Sequence, residues 1–214
     1  NVSDVRTEQA QALHSFVRQG GGLMIFLGEK VNARIMEARM QVGTDSLLPG
    51  KIADKLLEAT GEGQVGWPIE QAEANHPLGS FIKMLPKQLM DEARVRKLLS
   101  VTPAEGAHAI LKVAGPDAPL LLEKRLGRGQ VLLFTSSADR TWGNVAIHPA
   151  FLILLHESVT YLTRRGYERE FIVGEPLVIP VGPQAVDDQS VFLVPPGGQP
   201  TPIQVTEVDG ERTA

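Results

Sequence analysis

Apolar residues recur along the chain with helical spacing in some segments and as short continuous runs in others. A first helix is predicted between a cap at Ser3 or Asp4 and the three glycines at 20–22, because glycine accepts the backbone conformation of a helix C-terminus. The apolar face of this helix consists of Ala10, Leu13, Phe16 and Val17. The continuous apolar run at 23–27 predicts a strand buried on both faces, as in a parallel sheet covered by helices.

The same patterns predict further helices and strands downstream. Helices are expected at 31–40, at 51–59, where Ile52, Leu56 and Leu57 share a face, and at 88–99. Strands are expected at 107–114, 119–126 and 130–135, the last two joined by the turn Gly127–Gly129 into an antiparallel hairpin at the end of the sheet. A helix then begins at Pro149 and runs to about Arg165, and its composition predicts that it is nearly buried.

This order of helices and strands predicts an α/β domain with three layers, of the Rossmann or flavodoxin-like kind. The chain opens on a helix, and its first strand is expected to be a central one, whereas doubly wound domains usually start with a strand. We therefore expect residues 1–166 to form a domain that lacks its first strands, in a chain that is a piece of a longer protein. Residues 167–214 are acidic and rich in proline, and short strands at 171–180, 190–194 and 202–208 predict the start of a β-sandwich.

Composition excludes several chemistries. The 214 residues contain no Cys, so the chain has no thiolate nucleophile, disulfide, zinc finger or iron–sulfur cluster. The net charge of −4 argues against nucleic-acid binding, which needs a basic face. The longest strongly apolar stretch, Val145–Leu155, is too short for direct membrane insertion, which takes about 20 residues. We predict no cofactor and no metal.

Two short segments match part of a functional motif but lack the neighbouring elements or residues that the motif needs. Residues 61–66 fit G-x-G-x-x-G, but a helix is predicted before them and Trp67-Pro68 follows, so a turn is favoured over a nucleotide site. The run His156–Thr160 begins like the zinc motif H-E-x-x-H but ends on Thr160 instead of a second ligand. For Glu157 we expect a structural bond, with Tyr161, Arg164 or Arg165 as the partner. A serine-nucleophile elbow is absent from the sequence.

A pocket is expected at the carboxyl ends of the parallel strands, where α/β sheets bind ligands. The side chains predicted to lie there are polar or aromatic. They are Glu29, Ser136, Ser137, Asp139, Arg140, Trp142 and His148. The favoured alternative is structural: Asp139 caps a turn, Arg140 pairs locally and Trp142 covers the edge of the core.

Several segments resemble one family. The segment Leu13–Gly28, with its glycine-flanked strand, is similar to class I glutamine amidotransferase-like domains, in particular those of large bacterial membrane proteins of the aerotolerance-regulator type, which also carry a von Willebrand A-like domain. The strand at 127–137, the helix region from Trp142 to Glu157 and the segment 171–177 resemble the same family. Trehalose-utilisation-type proteins share this layout.

The resemblance implies a glutamine amidotransferase-type sheet and a catalytically silent site. Active members use a Cys nucleophile with a His and a Glu from an H-P-E run. Here no Cys exists, and His148-Pro149 is followed by Ala150. By analogy, the parent protein is expected to be anchored in the cell envelope, with this segment itself soluble.

Three functions follow as hypotheses. The first is a non-catalytic structural or interaction module of a larger bacterial envelope-anchored protein. The alternative is a hydrolase or a binding domain for a small, carbohydrate-like ligand that uses the polar side chains at the strand ends. The third is a module that docks other domains of its parent protein, or a second copy of itself, through an open sheet edge.

Overall fold

The computed structural model describes residues 5–60, 65–72, 76–79 and 85–163, and further along the chain 192–193, 199, 201–202, 206–208 and 211–213. The chain divides into two compact units, Asn1–Arg165 and Gly166–Ala214. This division falls beside the boundary predicted at 166. The strand predicted at 171–180 lies outside the described residues.

The first unit mixes helices with many short strands. Its helices are α1 (Thr7–Arg18), α2 (Ala33–Met40), α3 (Lys87–Glu92) and α4 (Pro149–Thr163), with 3-10 turns at Arg140–Trp142 and Val145–Ile147. Its strands are β1 (Gly22–Phe26), β2 (Gln41–Val42), β3 (Asp45–Ser46), β4 (Gly50–Glu58), β5 (Trp67–Gln71), β6 (Arg94–Val95), β7 (Lys97–Pro103), β8 (Ala107–Val113), β9 (Ala118–Leu126) and β10 (Gly129–Phe134). None of the described helices is long and apolar enough to cross a bilayer.

Six strands form the main sheet in the order β1-β10-β9-β8-β5-β6. β1 runs parallel to β10, as predicted for the glycine-flanked strand, and the other neighbours are antiparallel. The predicted α/β class is therefore confirmed, with a mixed sheet. One predicted position in the sheet was wrong: the β9–β10 hairpin lies inside the sheet, because β8 and β5 extend it beyond β9. The sequence pattern at 67–71 did not indicate strand β5. β1 is the last of the described strands at its end of the sheet.

Two hydrophobic clusters hold the first unit together, and β1 contributes to both. Met24 and Phe26 pack against one cluster, which contains Leu121, Leu132 and Phe134. Ile25 and Leu27 belong to the other cluster, with residues of α1, α2 and β4. Side chains alternate along a strand, so β1 is packed on both faces, as its continuous apolar sequence predicted.

The helix predicted at 51–59 was wrong, because this segment is strand β4. β4 pairs antiparallel with β7, and the register shifts between Ile52 and Leu56. The irregularity breaks the alternation expected of a strand and leaves Ile52, Leu56 and Leu57 at spacings that imitate a helix. Ile52 is buried, whereas Leu56 is 46% exposed.

The helix predicted at 88–99 was wrong in its second half. α3 ends at Glu92, and the chain then continues as β6 and β7. The N–H of Arg94 donates to Oδ1 of Asn144 (2.6 Å), whose amide donates in turn to the Glu92 carbonyl (2.8 Å). A distant side chain thus satisfies the backbone groups left open where α3 ends.

The two long helices lie close to their predicted positions but are more exposed than expected. α1 is capped at Arg6 with Gln9, whereas the predicted caps Ser3 and Asp4 lie outside the described residues; its residue Phe16 is 54% exposed. α4 begins at Pro149 as predicted and buries the stripe Ala150, Leu154 and Ser158. The prediction that α4 is nearly buried was wrong, since Leu152 is 70% exposed and Val159 is 51% exposed.

The second unit contains two described antiparallel strand pairs. Phe192–Leu193 pairs with Thr201–Pro202, and Thr206–Val208 pairs with Glu211–Thr213. These strands overlap the segments 190–194 and 202–208 for which strands were predicted. The second unit is thus β-rich where it is described.

Candidate functional site

A cleft with a volume of about 450 Å³ lies beside β1 and α2. Most of its lining is apolar, and the polar side chains on its walls are Asn32, Arg39 and Asp139. The apolar lining comes from Val5, Met24, Ile25, Phe26, Leu27, Val31, Ile35, Met36, Met40 and Ala138. The cleft therefore adjoins the carboxyl end of β1 and the residues that follow β10, as the pocket prediction expected.

The hydrogen bonds of β1 determine which of its backbone groups face the cleft. The N–H of Leu27 donates to the Phe134 carbonyl (3.0 Å), and the Gly21 carbonyl accepts from the N–H of Gln130 (3.4 Å). Odd-numbered residues therefore bond to β10. Because consecutive residues of a strand direct their backbone groups to opposite sides, the N–H and C=O groups of Met24 and Phe26 point away from β10. Among the described strands, none pairs with β1 on that side.

Helix α2 forms a fixed wall of the cleft. Asn32 caps the helix by accepting from the N–H of Ile35 (3.1 Å). Glu37 accepts from the N–H of Ile52 on β4 (2.7 Å), and Arg39 donates to the Thr7 hydroxyl on α1 (3.1 Å). Two of the polar groups on the cleft wall, Asn32 and Arg39, thus already serve the packing of α2.

Asp139, the third polar group, caps the 3-10 turn at 140–142. Its carboxylate accepts from the hydroxyl and the N–H (2.8 Å) of Thr141 and from the Ser137 hydroxyl (3.0 Å). The hydrogen bonds from Thr141, followed by that from Ser137, hold the pKa of Asp139 below its ordinary value. The carboxylate is thus charged at neutral pH, and the turn cap expected as the structural alternative is confirmed.

The remaining predicted site residues have separate surroundings. The Ser136 hydroxyl is buried and donates to the Lys97 carbonyl (2.7 Å), and Trp142 is buried in the core. Nδ1 of His148 accepts from the N–H of Ala150 (3.3 Å) at the start of α4. Glu29 and Arg140 are exposed.

Of the seven predicted residues, Ser137 and Asp139 are in direct contact, and Asp139 lines the cleft. The sequence reasoning missed the contribution of α2 and of the β1 backbone. The available signal was the apolar run at 23–27, which has neither proline nor charge to protect an edge.

A second polar group is centred on Glu123 and contains none of the predicted site residues. Glu123 on β9 accepts from Nε2 of His76 (2.7 Å) and from the hydroxyl of Tyr161 on α4 (2.7 Å). The Tyr161 hydroxyl also accepts from the side-chain amide of Gln130 on β10 (3.2 Å). Burial raises the pKa of Glu123, but the hydrogen bonds from His76 and Tyr161 outweigh it and hold the pKa below its ordinary value.

The two short motifs differ in how much of them the structure describes. Residues 61–64 of the glycine motif lie outside the described residues, and what begins directly after the motif, at Trp67, is strand β5 and not the helix that a phosphate site needs. Oε1 of Glu157 lies 3.4 Å from Nδ1 of His156, which is exposed. Of the three partners expected for Glu157, Tyr161 donates to Glu123, and Arg164 and Arg165 lie outside the described residues. The described residues contain no group of three potential metal ligands.

Comparisons with known proteins bear on the fold alone. The sequence matches no protein-family model and no curated protein. The cytoplasmic protein STM3548 from Salmonella typhimurium is similar in structure, with a TM-score of 0.55 and 17% identity over 74% of this chain and 62% of that one. The chain thus spans less than two thirds of that protein.

Two further solved structures are similar at lower TM-scores. The cytoplasmic protein STM1381 from Salmonella typhimurium LT2 has a TM-score of 0.47 and 20% identity, over 72% of this chain and 57% of that one. A β-galactosidase from Rahnella sp. R3 has a TM-score of 0.46 and 18% identity, over 76% of this chain and 22% of that one.

Proposed function

We propose that this chain is a non-catalytic interaction module, built on a three-layer sheet of the class I glutamine amidotransferase type and belonging to a larger, envelope-anchored bacterial protein. The observation that carries the proposal concerns the polar side chains after β10. Those of Ser136, Ser137 and Asp139 form hydrogen bonds within the fold itself. The cleft beside them offers apolar side chains and the edge of a strand.

The missing nucleophile supports the same proposal. Amidotransferase chemistry of the family that the sequence resembles needs a thiolate, and the chain has no Cys. His148, which follows the family pattern, accepts a hydrogen bond from the N–H of Ala150 at the start of α4. Its ring nitrogen Nδ1 is therefore engaged in capping a helix.

A hydrolase, or a binding site for a small carbohydrate-like ligand, is the second candidate function. It is favoured by one observation, the presence of Asp139, Asn32 and Arg39 on the cleft wall. A charged carboxylate and an amide can bind sugar hydroxyls. In this chain they would have to do so while keeping the hydrogen bonds that cap the 3-10 turn and α2.

Turnover assays on the 214-residue chain test the proposal. We expect no hydrolysis of glutamine or of nitrophenyl glycosides above the buffer blank, and no thermal stabilisation by mono- or disaccharides. Asp139→Asn is the informative variant, and Asp54→Asn, at an exposed position on β4, is its control. Turnover or sugar-induced stabilisation that disappears in Asp139→Asn and persists in Asp54→Asn would overturn the non-catalytic proposal in favour of the second candidate.

A further inference from the structure

We infer that Glu123 is the centre of an acid-sensitive latch: its carboxylate holds the segment 76–79 and the last turn of α4, residues 160–163, on one face of the main sheet, and protonation loosens both together. The latch goes beyond the proposed interaction role and does not depend on it. It is built from a chain of hydrogen bonds and from the contact between two aromatic rings.

One carboxylate joins two segments that lie far apart in the sequence. Oε2 of Glu123 accepts from Nε2 of His76 (2.7 Å), and Oε1 accepts from the hydroxyl of Tyr161 (2.7 Å). The rings of His76 and Tyr161 also meet edge to face, with 5.2 Å between their centroids. Both segments depend on the same carboxylate and contact each other, so loss of one hydrogen bond weakens the hold on the other segment.

The hydrogen bonds of this group all run toward the carboxylate. The N–H of Leu78 donates to Nδ1 of His76 (3.2 Å), so the proton of the neutral ring is on Nε2 and is donated to Glu123. The side-chain amide of Gln130 donates to the hydroxyl of Tyr161 (3.2 Å), which donates in turn to Glu123. The carboxylate is therefore the acceptor at which both chains of hydrogen bonds end.

A proton added to this group finds no acceptor within it. On Glu123 the proton would face either the Nε2–H of His76 or the hydroxyl hydrogen of Tyr161, and two donors form no hydrogen bond. On Nδ1 of His76 the proton would displace the N–H of Leu78. Each of these protonations breaks a hydrogen bond that holds segment 76–79 or α4, and a buried donor without an acceptor is costly.

The charged groups around Glu123 keep the latch closed at neutral pH. His108 on β8 lies opposite Glu123, Arg125 follows on the same face of β9, and the position opposite Glu123 on β10 is apolar. Burial raises the pKa of Glu123, but the hydrogen bonds from His76 and Tyr161, together with the nearby His108, hold it below its ordinary value of 4.5. The latch therefore opens only in acid, as the pH falls through this lowered pKa.

The last turn of α4 is also the end of the first unit. α4 ends at Thr163, shortly after Tyr161, and the second unit begins at Gly166. Earlier in α4, Leu154 is buried in the hydrophobic core and carries no group that titrates. Opening is therefore confined to the last turn, and the latch controls the part of the helix that leads into the second unit.

Amide hydrogen exchange, followed by NMR on the whole chain at neutral pH, tests the coupling between the two segments. Tyr161→Phe removes only the hydroxyl that bonds to Glu123 and Gln130. We expect the N–H of Leu78 to exchange about tenfold faster in this variant, because a hydrogen bond to a charged group is lost. Thr163→Val is the matched control: it removes a hydroxyl of the same turn that bonds within α4, and it should leave exchange at Leu78 unchanged.

Exchange in acid tests the dependence on protons. In the wild type, protection of the N–H groups of Leu78 and Leu162 should fall together by about tenfold or more between about pH 6 and about pH 3.5, after correction for the intrinsic rate of exchange. Leu133, buried in β10, should stay protected. In Glu123→Gln, Leu78 and Leu162 should already be weakly protected at about pH 6 and should show no such fall.

Several results would overturn the latch. They are equal exchange at Leu78 in Tyr161→Phe and Thr163→Val, a loss of protection in acid at only one of Leu78 and Leu162, or full protection of both in acid. A simultaneous loss at Leu133 would show that the first unit unfolds as a whole, which also contradicts a local latch. Should Glu123→Gln fail to fold, Tyr161→Phe and the wild type in acid decide the question.

Discussion

Replacement of Glu123 by Gln tests how the buried polar group stabilises the first unit. Glu123 is 8% exposed and accepts from His76 and Tyr161, each at 2.7 Å. Nδ1 of His76 accepts from the N–H of Leu78 (3.2 Å), so Nε2 carries the proton that His76 donates to Glu123. The amide of the Glu123→Gln variant can accept from Tyr161 only through its oxygen. Its NH₂ group then faces the N–H of His76, and because both groups are donors no hydrogen bond forms between them.

The size of the effect follows from these contacts. A hydrogen bond to a charged group contributes about 1.5–3 kcal/mol, and the carboxylate accepts two of them. The variant recovers one neutral hydrogen bond of about 1 kcal/mol. We therefore expect Glu123→Gln to lower the free energy of unfolding by about 2–5 kcal/mol at neutral pH.

Protonation of Glu123 makes this stabilisation depend on pH. The pKa of Glu123 in the folded protein lies below its ordinary value of 4.5, so the unfolded chain binds more protons than the folded chain in this range. The stabilisation by Glu123 is complete above the ordinary value and is lost as the pH falls through the folded-state pKa. The difference between wild type and Glu123→Gln should therefore be constant near neutral pH and shrink below pH 4.5.

Urea unfolding, extrapolated linearly to water, measures both effects. Glu58→Gln is the control, because the Glu58–Lys97 ion pair (2.9 Å) is partly exposed and should change the free energy by less than about 1 kcal/mol. The reasoning would be refuted by a Glu123→Gln variant as stable as Glu58→Gln. A difference from wild type that persists unchanged at strongly acid pH would refute the assigned pKa direction.

Two further predictions concern packing. Gly129→Ala should destabilise the first unit by about 2 kcal/mol or more in thermal unfolding, since the new Cβ would collide with two backbone carbonyl oxygens. The control is Gly106→Asn, which lies in open space at φ +71° and should lower the free energy of unfolding by less than about 1 kcal/mol. Leu154→Ala, on the buried stripe of α4, should cost about 2–4 kcal/mol in urea unfolding, and Leu152→Ala, 70% exposed on the same helix, less than about 0.5 kcal/mol. Equal costs within either pair would contradict the packing described for it.

Sequence patterns predicted those helices and strands for which the local sequence and the packing in the fold favour the same secondary structure. β1 and its parallel orientation, the β9–β10 hairpin and the start of α4 at Pro149 all follow from glycine and proline positions and continuous apolar runs. The patterns failed for β4, where the register shift inside the strand disrupts the alternation of apolar residues. They also failed at Arg94, where the end of α3 depends on Asn144, fifty residues away in sequence.

The sequence indicated where the cleft lies but not which groups line it. The carboxyl end of β1 does adjoin a cleft, but its walls come from α2 and from backbone groups, which residue types cannot reveal. Asp139 lines the cleft because the 3-10 turn that it caps lies there. Ser and His are residue types common in active sites, but Ser136 and His148 form hydrogen bonds with backbone groups of the fold.

The pairing of β1 with β10 also constrains how the first unit folds. Gly22 pairs with Gln130, so the strand and its only described partner are roughly 100 residues apart in sequence. Closing so long a loop carries a large entropic cost, and contacts of this kind form late and slow folding. During synthesis the apolar segment 22–27 must wait for β10 to emerge from the ribosome. This interval is when the chain is most exposed to aggregation and to chaperone binding.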